Sequence, residues 1–313
     1  TYSPKSFNNK YGVPLSLFNL KESDEFGIFE IGMDKKGEID SLSKIIKPDV
    51  GVITNISYAH IKNFKNIHQI AIAKSEIIRN ISRDGYIILN YDDRFFHLHK
   101  KIAIKNDLKI HTFSLNNKLA SIYLKRIVKE RSKYKIYVNV DNKDIFFYIN
   151  SIFENDIKNI LASIIILSIF KDIQKLNKNI FYDHKVPKGR GDIKKVKLGK
   201  KTFYIVDESY NSNPLSLISA LKNFNELNID TSRKKLLLGD MLELGKYSKK
   251  LHLEIGSSIN KTSLKNINVI GKHIMWTYNN LDKSRKGIVI KDKSQIIDLI
   301  KNNLNNNDYL MIK

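Results

Sequence analysis

Two kinds of hydrophobic pattern alternate along the chain and together predict an α/β fold. Short apolar runs, typical of buried strands, cover residues 26–31, 50–54, 86–89, 202–206, 235–238, 267–270 and 308–312. Apolar residues recur at helical spacing over residues 38–46, 67–81, 157–170, 249–260 and 294–304, and another helix begins at Pro214. Strands that alternate with helices are typical of a doubly wound fold with a mostly parallel sheet.

A different pattern occupies residues 109–149. Its short segments alternate apolar and polar positions between polar turns, which predicts antiparallel β structure. Farther on, the polar stretch 177–188 leads into a Gly-Arg-Gly turn at 189–191, and we place a domain boundary there. We therefore predict a mostly parallel central domain with an added antiparallel portion over residues 1–186. A Rossmann-like α/β domain is predicted over residues 187–313.

Composition limits the class of protein. The 313 residues, 42% of them hydrophobic, are enough for two buried cores. The sequence has no cysteine, which excludes disulfides, thiolate metal sites and a cysteine nucleophile, and is typical of a reducing compartment. No apolar run reaches the roughly 18 residues that a membrane span needs. We expect a cytoplasmic, monomeric protein that does not insert into membranes.

The charge is unusual for this composition. Lys and Arg number 54 against 32 Asp and Glu, which gives a formal net charge of +22. The lysines are spread along the whole chain, and the sequence shows no Arg-rich arm, Cys/His finger or aromatic RNA-binding strand. We therefore expect no nucleic-acid partner, although a basic nucleic-acid-binding protein stays open as an alternative. Phosphate-bearing small ligands are compatible with the charge.

Polar residues that directly follow the apolar runs are candidates for chemistry, because ligands of open α/β sheets bind beyond the carboxyl ends of the strands. Glu30, Asn55, Asp207 and Asp240 occupy such positions, and His60 follows soon after Asn55. Glu30 and His60 are a plausible ligand pair for a divalent cation. Glu30 could equally be a structural partner of a lysine or of a helix N-terminus.

Three further features of the sequence could belong to a ligand site or have only a structural role. Lys74 lies among apolar residues of the predicted helix 67–81, where a lysine either extends its ammonium to solvent or is desolvated and chemically modified. The segment 207–214, DESYNSNP, could hold a ribose or phosphate, or serve only to cap a helix. The Gly-Arg-Gly turn around Arg190 would let a phosphate approach the backbone, but so short a motif is non-specific.

Taken in order, several segments resemble the Mur ligase family. They are FNNKYGVP (7–14), EIGM (30–33), GEI (37–39), TNI (54–56), AH (59–60), AKSE (73–76), GRG (189–191), DESYNSNP (207–214), GDMLELG (239–245) and His252. Each segment is weak by itself, but the ordered set covers nearly the whole chain. The first and the DESYNSNP segments favour the member that adds D-alanyl-D-alanine to UDP-N-acetylmuramoyl-tripeptide.

The resemblance implies an ATP-dependent amide ligase of peptidoglycan precursor synthesis that works through an acyl phosphate, with ATP and Mg²⁺ as cofactors. It implies that Glu30 and His60 are magnesium ligands and that Lys74 is carbamylated and acts as a third ligand, so that these three residues form the catalytic centre. The residues implied to bind the nucleotide are Asn55, Asn159, Arg190, Asp207, Tyr210 and Asn211. Those implied to line the substrate and acceptor sites are Asn8, Asn9, Asp240 and Glu243.

Both ends of the chain look like cuts in a longer protein, since it begins at Thr1 and Asp308–Lys313 ends inside a predicted strand. The family's phosphate-binding loop would lie upstream of Thr1, so we expect residues 1–313 alone to turn over negligibly. Three alternatives stay open. They are another Mur or folylpolyglutamate-synthase-like ligase, a non-catalytic binding module, and the nucleic-acid binder named above.

Overall fold

The computed structural model describes residues 1–131, 133–184 and 186–313, which fold as two units. The first unit consists of residues 1–56 and 63–184, and the second consists of residues 57–62 and 186–313. Six residues from the early part of the chain, 57–62, therefore fold with the second unit, although the predicted domain boundary placed them in the first.

The first unit is built on a six-stranded sheet in which strand order follows chain order. The strands are β1 (Val50–Ile53), β2 (Tyr86–Asn90), β3 (Lys109–Ser114), β4 (Ile122–Glu130), β5 (Lys133–Val140) and β6 (Lys143–Ile149). Strands β1 to β4 are parallel, and β4, β5 and β6 pair antiparallel. The predicted parallel sheet with an antiparallel portion is confirmed, but the antiparallel part begins at β4, since β3 pairs parallel with both of its neighbours.

Within the described residues, five α-helices belong to this unit. They are α1 (Gly12–Leu17), α2 (Glu38–Ile46), α3 (Ile67–Lys74), α4 (Phe96–Ile104) and α5 (Glu154–Phe170). The predicted helix 67–81 ends earlier, because α3 passes into a 3₁₀ turn at Ser75–Asn80. Residues Ile157, Leu161 and Ile165 of α5 are buried in one core with Phe113 and Phe147 of the sheet.

The second unit has its own six-stranded sheet, in the order β11-β10-β9-β12-β8-β7. Its strands are β7 (Asp192–Leu198), β8 (Lys201–Asp207), β9 (Lys234–Leu238), β10 (Ile267–Ile270), β11 (Lys286–Ile290) and β12 (Tyr309–Ile312). The helices are α6 (Pro214–Glu226), α7 (Ser248–Asn260), α8 (Ile274–Asn279) and α9 (Lys293–Asp298). All neighbouring strands pair parallel except β7 and β8. Among the described residues, none of the helices combines the length and apolar character required to cross a membrane.

Three strands differ between the sequence prediction and the structure: the run 26–31 does not form one, and the sequence does not predict the edge strands β7 and β11. The apolar run 26–31 makes only an isolated bridge between Ile28 and Tyr2, and Phe26 and Ile28 are 43% and 70% exposed. An apolar run becomes a strand only where a neighbouring strand can accept its hydrogen bonds. Strand β7 was not predicted, because as an edge strand rich in lysine it is mostly exposed and lacks an apolar run.

Candidate functional site

In the first unit, the loop after β1 places Asn55 at the carboxyl edge of the parallel strands. The Asn55 side chain is exposed, and its backbone carbonyl accepts a hydrogen bond from Nζ of Lys74 at 3.4 Å. The structure thus brings together two predicted site residues that lie 19 positions apart in sequence. This edge is where the general rule for open α/β sheets places a ligand.

Lys74 is the last residue of α3 and is half-buried. Burial lowers the pKa of its ammonium, while the negative charges of Asp93 and Glu30 act in the opposite direction. Because the effect of burial is the larger one, the neutral amine form of Lys74 is populated more readily than that of an exposed lysine. Of the two sequence interpretations, this environment favours the desolvated lysine over one that extends freely into water.

Glu30 does not follow a strand of the sheet, contrary to expectation, because the run before it is not a strand. It lies beside Asn8, whose Nδ2 donates to Oε1 of Glu30 at 2.8 Å. The backbone joins the same two segments, since the amide of Gly32 donates to the carbonyl of Asn8 at 2.7 Å. A Cβ added at Gly32 would lie 3.0 Å from the Asn8 side chain, so a larger residue would crowd this contact.

Of two other residues of the resemblance in this unit, Asn9 has local structural contacts and Asn159 is exposed. The Oδ1 atom of Asn9 accepts from the amides of Tyr11 at 3.1 Å and Gly12 at 2.9 Å, which organises the turn before α1. Asn159 lies exposed on α5. Asn9 therefore has a structural role that the sequence did not indicate.

Glu76, in the AKSE segment, holds the N-terminus of α2. It is 9% exposed, and its carboxylate accepts from the amide of Gly37 at 2.9 and 3.1 Å and from that of Asp40 at 3.1 Å. These amides belong to the N-terminus of α2, whose orphan donors need acceptors. Glu76 thus joins the AKSE segment to the start of α2 in the GEI segment.

In the second unit, His60 and Glu243 form a contact pair. His60 Nδ1 lies 2.5 Å from Oε2 of Glu243, and Nζ of Lys62 donates to the other oxygen at 2.9 Å. The hydrogen bond from Lys62 is the largest cause that lowers the pKa of the Glu243 carboxyl, and the charges of His60 and Lys62 add to it. His60 and Glu30, the ligand pair predicted from sequence, are divided between the two units.

The carboxyl ends of β8, β12 and β9 meet in the second unit, and a pocket of about 380 Å³ opens beside them. The amide of Glu208 donates to the carbonyl of Ile312 at 2.9 Å, and the amide of Gly239 donates to that of Lys313 at 2.7 Å. The loops after β8 and β9 both line the pocket. The lining includes Ser209, Tyr210, Asn211, Asp240 and Glu243, together with His60.

Within this unit the Gly-Arg-Gly turn docks on the start of the DESYNSNP segment. The guanidinium carbon of Arg190 lies 4.3 Å from the centre of the Tyr210 ring, and the amide of Tyr210 donates to the carbonyl of Gly189 at 3.0 Å. Gly189 has φ +76°, and an added Cβ would lie 3.0 Å from Tyr210, so glycine is required on both grounds. Two segments that are weak motifs by themselves thus pack against each other.

Asp207 anchors the first position of the segment. Its Oδ2 accepts from Nζ of Lys194 at 2.8 Å, and its Oδ1 accepts from the hydroxyl of Ser209 at 2.6 Å. These two hydrogen bonds, that of Lys194 first, lower the pKa of the Asp207 carboxyl. Asp207 is therefore a paired carboxylate at the end of β8.

Lys313 is a further lining residue that the sequence did not single out. It is 9% exposed, and its Nζ donates to the carbonyls of Glu208 at 3.2 Å and Asn211 at 2.9 Å and to Oε2 of Glu208 at 3.4 Å. Burial lowers the pKa of this ammonium, against the charge of Glu208. Lys313 ties the loop that carries Tyr210 and Asn211 to the end of β12.

Asp240 is engaged with its own unit. Its Oδ1 accepts from the amide of Ile274 at 2.7 Å and its Oδ2 from the amide of Lys272 at 3.1 Å, so the carboxylate binds the backbone at the start of α8. Close by, the buried His252 accepts a hydrogen bond at Nε2 from the amide of Met241 at 3.2 Å. Both contacts order the GDMLELG segment, which indicates a structural role for Asp240 at this wall of the pocket.

The comparisons with known proteins agree with this architecture. The family model of the Mur ligase middle domain matches residues 2–167, and that of the Mur ligase, glutamate ligase domain matches residues 189–313. The chain is 29% identical to the UDP-N-acetylmuramoyl-tripeptide–D-alanyl-D-alanine ligase of Rickettsia prowazekii, and the match covers 98% of the chain and 67% of that protein. The ligase of the same name from Buchnera aphidicola is also 29% identical, over 98% of the chain and 64% of its own length.

Solved structures show the same fold. MurF from Acinetobacter baumannii superposes with a TM-score of 0.83 at 23% identity, covering 99% of the chain and 66% of that structure. MurF from Thermotoga maritima, solved in complex with ADP, gives a TM-score of 0.83 at 22% identity, covering 100% of the chain and 69% of that structure. The chain thus spans about two thirds of the length of the proteins that it matches.

Proposed function

Because the chain belongs to the Mur ligase family, we propose that its protein is an ATP-dependent ligase that joins D-alanyl-D-alanine to UDP-N-acetylmuramoyl-tripeptide. The observation that carries this proposal is the match over 98% of the chain to two relatives that both bear that name. A cytoplasmic location, where ATP is available, is part of the same proposal.

The reaction proposed has two chemical steps. The terminal carboxylate of the tripeptide attacks the γ-phosphorus of ATP, which forms an acyl phosphate and releases ADP. The amine of the dipeptide then attacks the acyl carbon, the amide bond forms and inorganic phosphate leaves. Such chemistry depends mainly on positioning and on neutralising the charge of the phosphates.

We propose that the protein binds Mg²⁺, an ion that prefers oxygen ligands. We propose that Glu30 supplies one carboxylate oxygen and that Lys74, once carbamylated, supplies another. The desolvated environment of Lys74 supports this modification, because only a neutral amine combines with carbon dioxide. His60 is the third proposed ligand, and in its own unit it is oriented by Glu243. When bound, the ion would neutralise charge on the transferring phosphoryl group.

We further propose that Asn55 and Asn159 of the first unit contact the nucleotide. Arg190, Asp207, Tyr210 and Asn211 have the same proposed role in the second unit, which is supported by the docking of the Gly-Arg-Gly turn on Tyr210. Asn8, Glu243 and the pocket wall around Asp240 are proposed to serve the substrates. Asn9 would act only indirectly, through the turn that it organises.

The test is an assay of the full-length protein for ADP release in the presence of magnesium-ATP. Release should require both UDP-N-acetylmuramoyl-tripeptide and D-alanyl-D-alanine. A panel of single amino acids in place of the dipeptide distinguishes this ligase from other Mur ligases and from folylpolyglutamate-synthase-like enzymes. Turnover with a single amino acid but not with the dipeptide would contradict the proposed acceptor.

A further inference from the structure

Three polar residues at the carboxyl end of β2 hold the loops that follow its two neighbouring strands. Asn90 is the last residue of β2, and Asp92 and Asp93 follow it directly. Since β2 lies parallel between β1 and β3, its end stands beside the carboxyl ends of both strands. None of these three residues belongs to the motifs found in the sequence.

On the β1 side, each residue of the Thr54–Asn55–Ile56 loop is held by a different side chain. Asn90 Nδ2 donates to the carbonyl of Thr54 at 2.9 Å, and Asp93 Oδ2 accepts from the amide of Ile56 at 2.8 Å. The carbonyl of Asn55, between them, accepts from Lys74. Asn90 is 5% exposed and Ile56 is 6% exposed, so water does not readily replace a lost partner at either end.

On the β3 side, the carboxylate of Asp92 holds the loop that follows β3. Asp92 Oδ1 accepts from the hydroxyl of Ser114 at 2.5 Å, and its Oδ2 accepts from the amide of Leu115 at 2.8 Å. Two adjacent aspartates therefore hold different loops, Asp92 the one after β3 and Asp93 the one after β1. Only the second of these loops carries a residue proposed to contact the nucleotide.

We propose that Asp93, together with Asn90, is a positioning residue for nucleotide binding, which fixes the backbone of residues 54–56 so that the Asn55 side chain is presented at the carboxyl end of β1. Asp93 is itself oriented, because its Oδ1 accepts from the amide of Phe95 at 2.8 Å. Its charge also acts on Lys74, the group bound to the Asn55 carbonyl. The inference rests on the proposed function, in which Asn55 contacts ATP.

The adjacent aspartates provide a matched pair of variants. In Asp93→Asn the amide keeps one acceptor oxygen, so only one of the two backbone amides, of Ile56 or Phe95, can still be bound. The lost acceptor is a charged group, and the loss of a hydrogen bond to a charged group typically costs roughly tenfold or more in the affinity that it supports. We expect the KM for ATP to rise about tenfold or more in Asp93→Asn with a smaller change in kcat. Asp92→Asn should leave the KM within about twofold of wild type.

The measurements are the KM for ATP of the full-length enzyme, the ADP affinity by calorimetry and the melting temperature of each variant. Comparable melting temperatures with a selective loss of ADP affinity in Asp93→Asn would support positioning. Equal effects of the two variants on ADP affinity, or no effect of Asp93→Asn, would overturn it. If Asp93→Asn does not fold, Asn90→Ala tests the same loop from its other end.

The two proposals fail in different ways. A wild-type protein that binds ADP but does not join the dipeptide contradicts the proposed function. In that case the ADP affinity of Asp93→Asn still tests whether Asp93 positions the Asn55 loop. Normal wild-type turnover with unchanged ADP affinity in Asp93→Asn contradicts the positioning role alone.

Discussion

Lys74 lies in an environment that disfavours its charged form, as Lys234 and Lys313 also do. Lys74 differs from those two lysines in that its Nζ donates to the backbone of the Asn55 loop. Its neighbours Glu30 and Asn55 come from segments that are distant in sequence, so the spacing of lysines along the chain could not reveal the site. The motif AKSE marked the residue, but only the fold supplies the burial that makes it chemically distinctive.

We expect Lys74→Ala to lower kcat by about 100-fold or more, the usual cost of removing a preorganised group that stabilises transition-state charge. Added bicarbonate should not restore activity, because alanine has no amine to carbamylate. Lys44→Ala is the control, since Lys44 is 63% exposed on α2 and should stay within about twofold of wild type. Steady-state assays of both variants make the comparison, and wild-type rates in Lys74→Ala would argue against a catalytic lysine.

His99 predicts a pH dependence of stability in the first unit. Burial lowers the pKa of His99 below its ordinary 6.5, so the unfolded chain binds a proton here more readily than the folded protein. The stability that neutral His99 contributes is present above pH 6.5 and is lost as the pH falls below it. Its Nε2 lies 3.0 Å from the carbonyl of Ala71, a partner that a glutamine side chain could also reach.

His99→Gln should therefore lose less unfolding free energy than wild type between about pH 7 and pH 5. His97→Gln, an exposed position on the same helix, should lose as much as wild type. Urea unfolding of the three proteins at both pH values makes the measurement. An equal pH dependence in all three would show that His99 does not contribute to it.

At the scale of elements, the position of α2 depends on a carboxylate from elsewhere in the first unit. Its N-cap is Gly37 at φ +90°, which has no side chain to accept from the first turn. Glu76, on the 3₁₀ turn after α3, accepts hydrogen bonds from the N-terminus of α2 instead. The helical period of residues 38–46 predicted α2 correctly, but not what holds its N-terminus.

Glu76→Ala should lower the free energy of unfolding by about 1–3 kcal/mol, because it leaves the partly buried backbone amides of Gly37 and Asp40 without an acceptor. Glu25→Ala, at an exposed position of the same unit, should change it by less than about 0.5 kcal/mol. Chemical denaturation of both variants and of the wild type measures these changes in the free energy of unfolding. Equal stabilities would mean that water or another group replaces the carboxylate.

Helix α4 shows why some elements escape a sequence-based prediction. Its buried face is formed by Phe96, His99 and Ala103, only one of which is a large apolar residue. The hydrophobic pattern is therefore weak, although the helix is well packed. Strand β7 is a similar case, since its lysine-rich residues remain largely exposed at a sheet edge.

At the scale of the molecule, each unit has its own sheet and core, but the second unit also includes residues 57–62. The amide of Lys62 donates to the carbonyl of Glu243 at 2.9 Å, and Lys62 and His60 bind the Glu243 carboxylate. An added Cβ at Gly245 would lie 3.2 Å from Lys62, so the two segments pack closely.

Residues 186–313 expressed alone should fold, because the strands and the core of their sheet come from this range. The loop 241–247 should nevertheless exchange its amide hydrogens faster than in the whole chain, since residues 57–62 are missing. Hydrogen exchange read by mass spectrometry compares the two proteins, with β9 as the internal reference. Equal protection of the loop in both would contradict the assignment of residues 57–62 to this unit.

The α/β class, the order of most strands and helices, and the family follow from the amino-acid sequence, because hydrophobic period and local motifs are encoded in neighbouring residues. The sequence also marks Lys74, Asp207 and the Gly-Arg-Gly turn as notable. The fold was needed to show that Asp240 and Asn9 bind backbone amides, that Glu76 caps α2, and that Asp93 holds the Asn55 loop. Those roles depend on which buried donors a side chain meets across the fold, and no pattern along the chain carries that information.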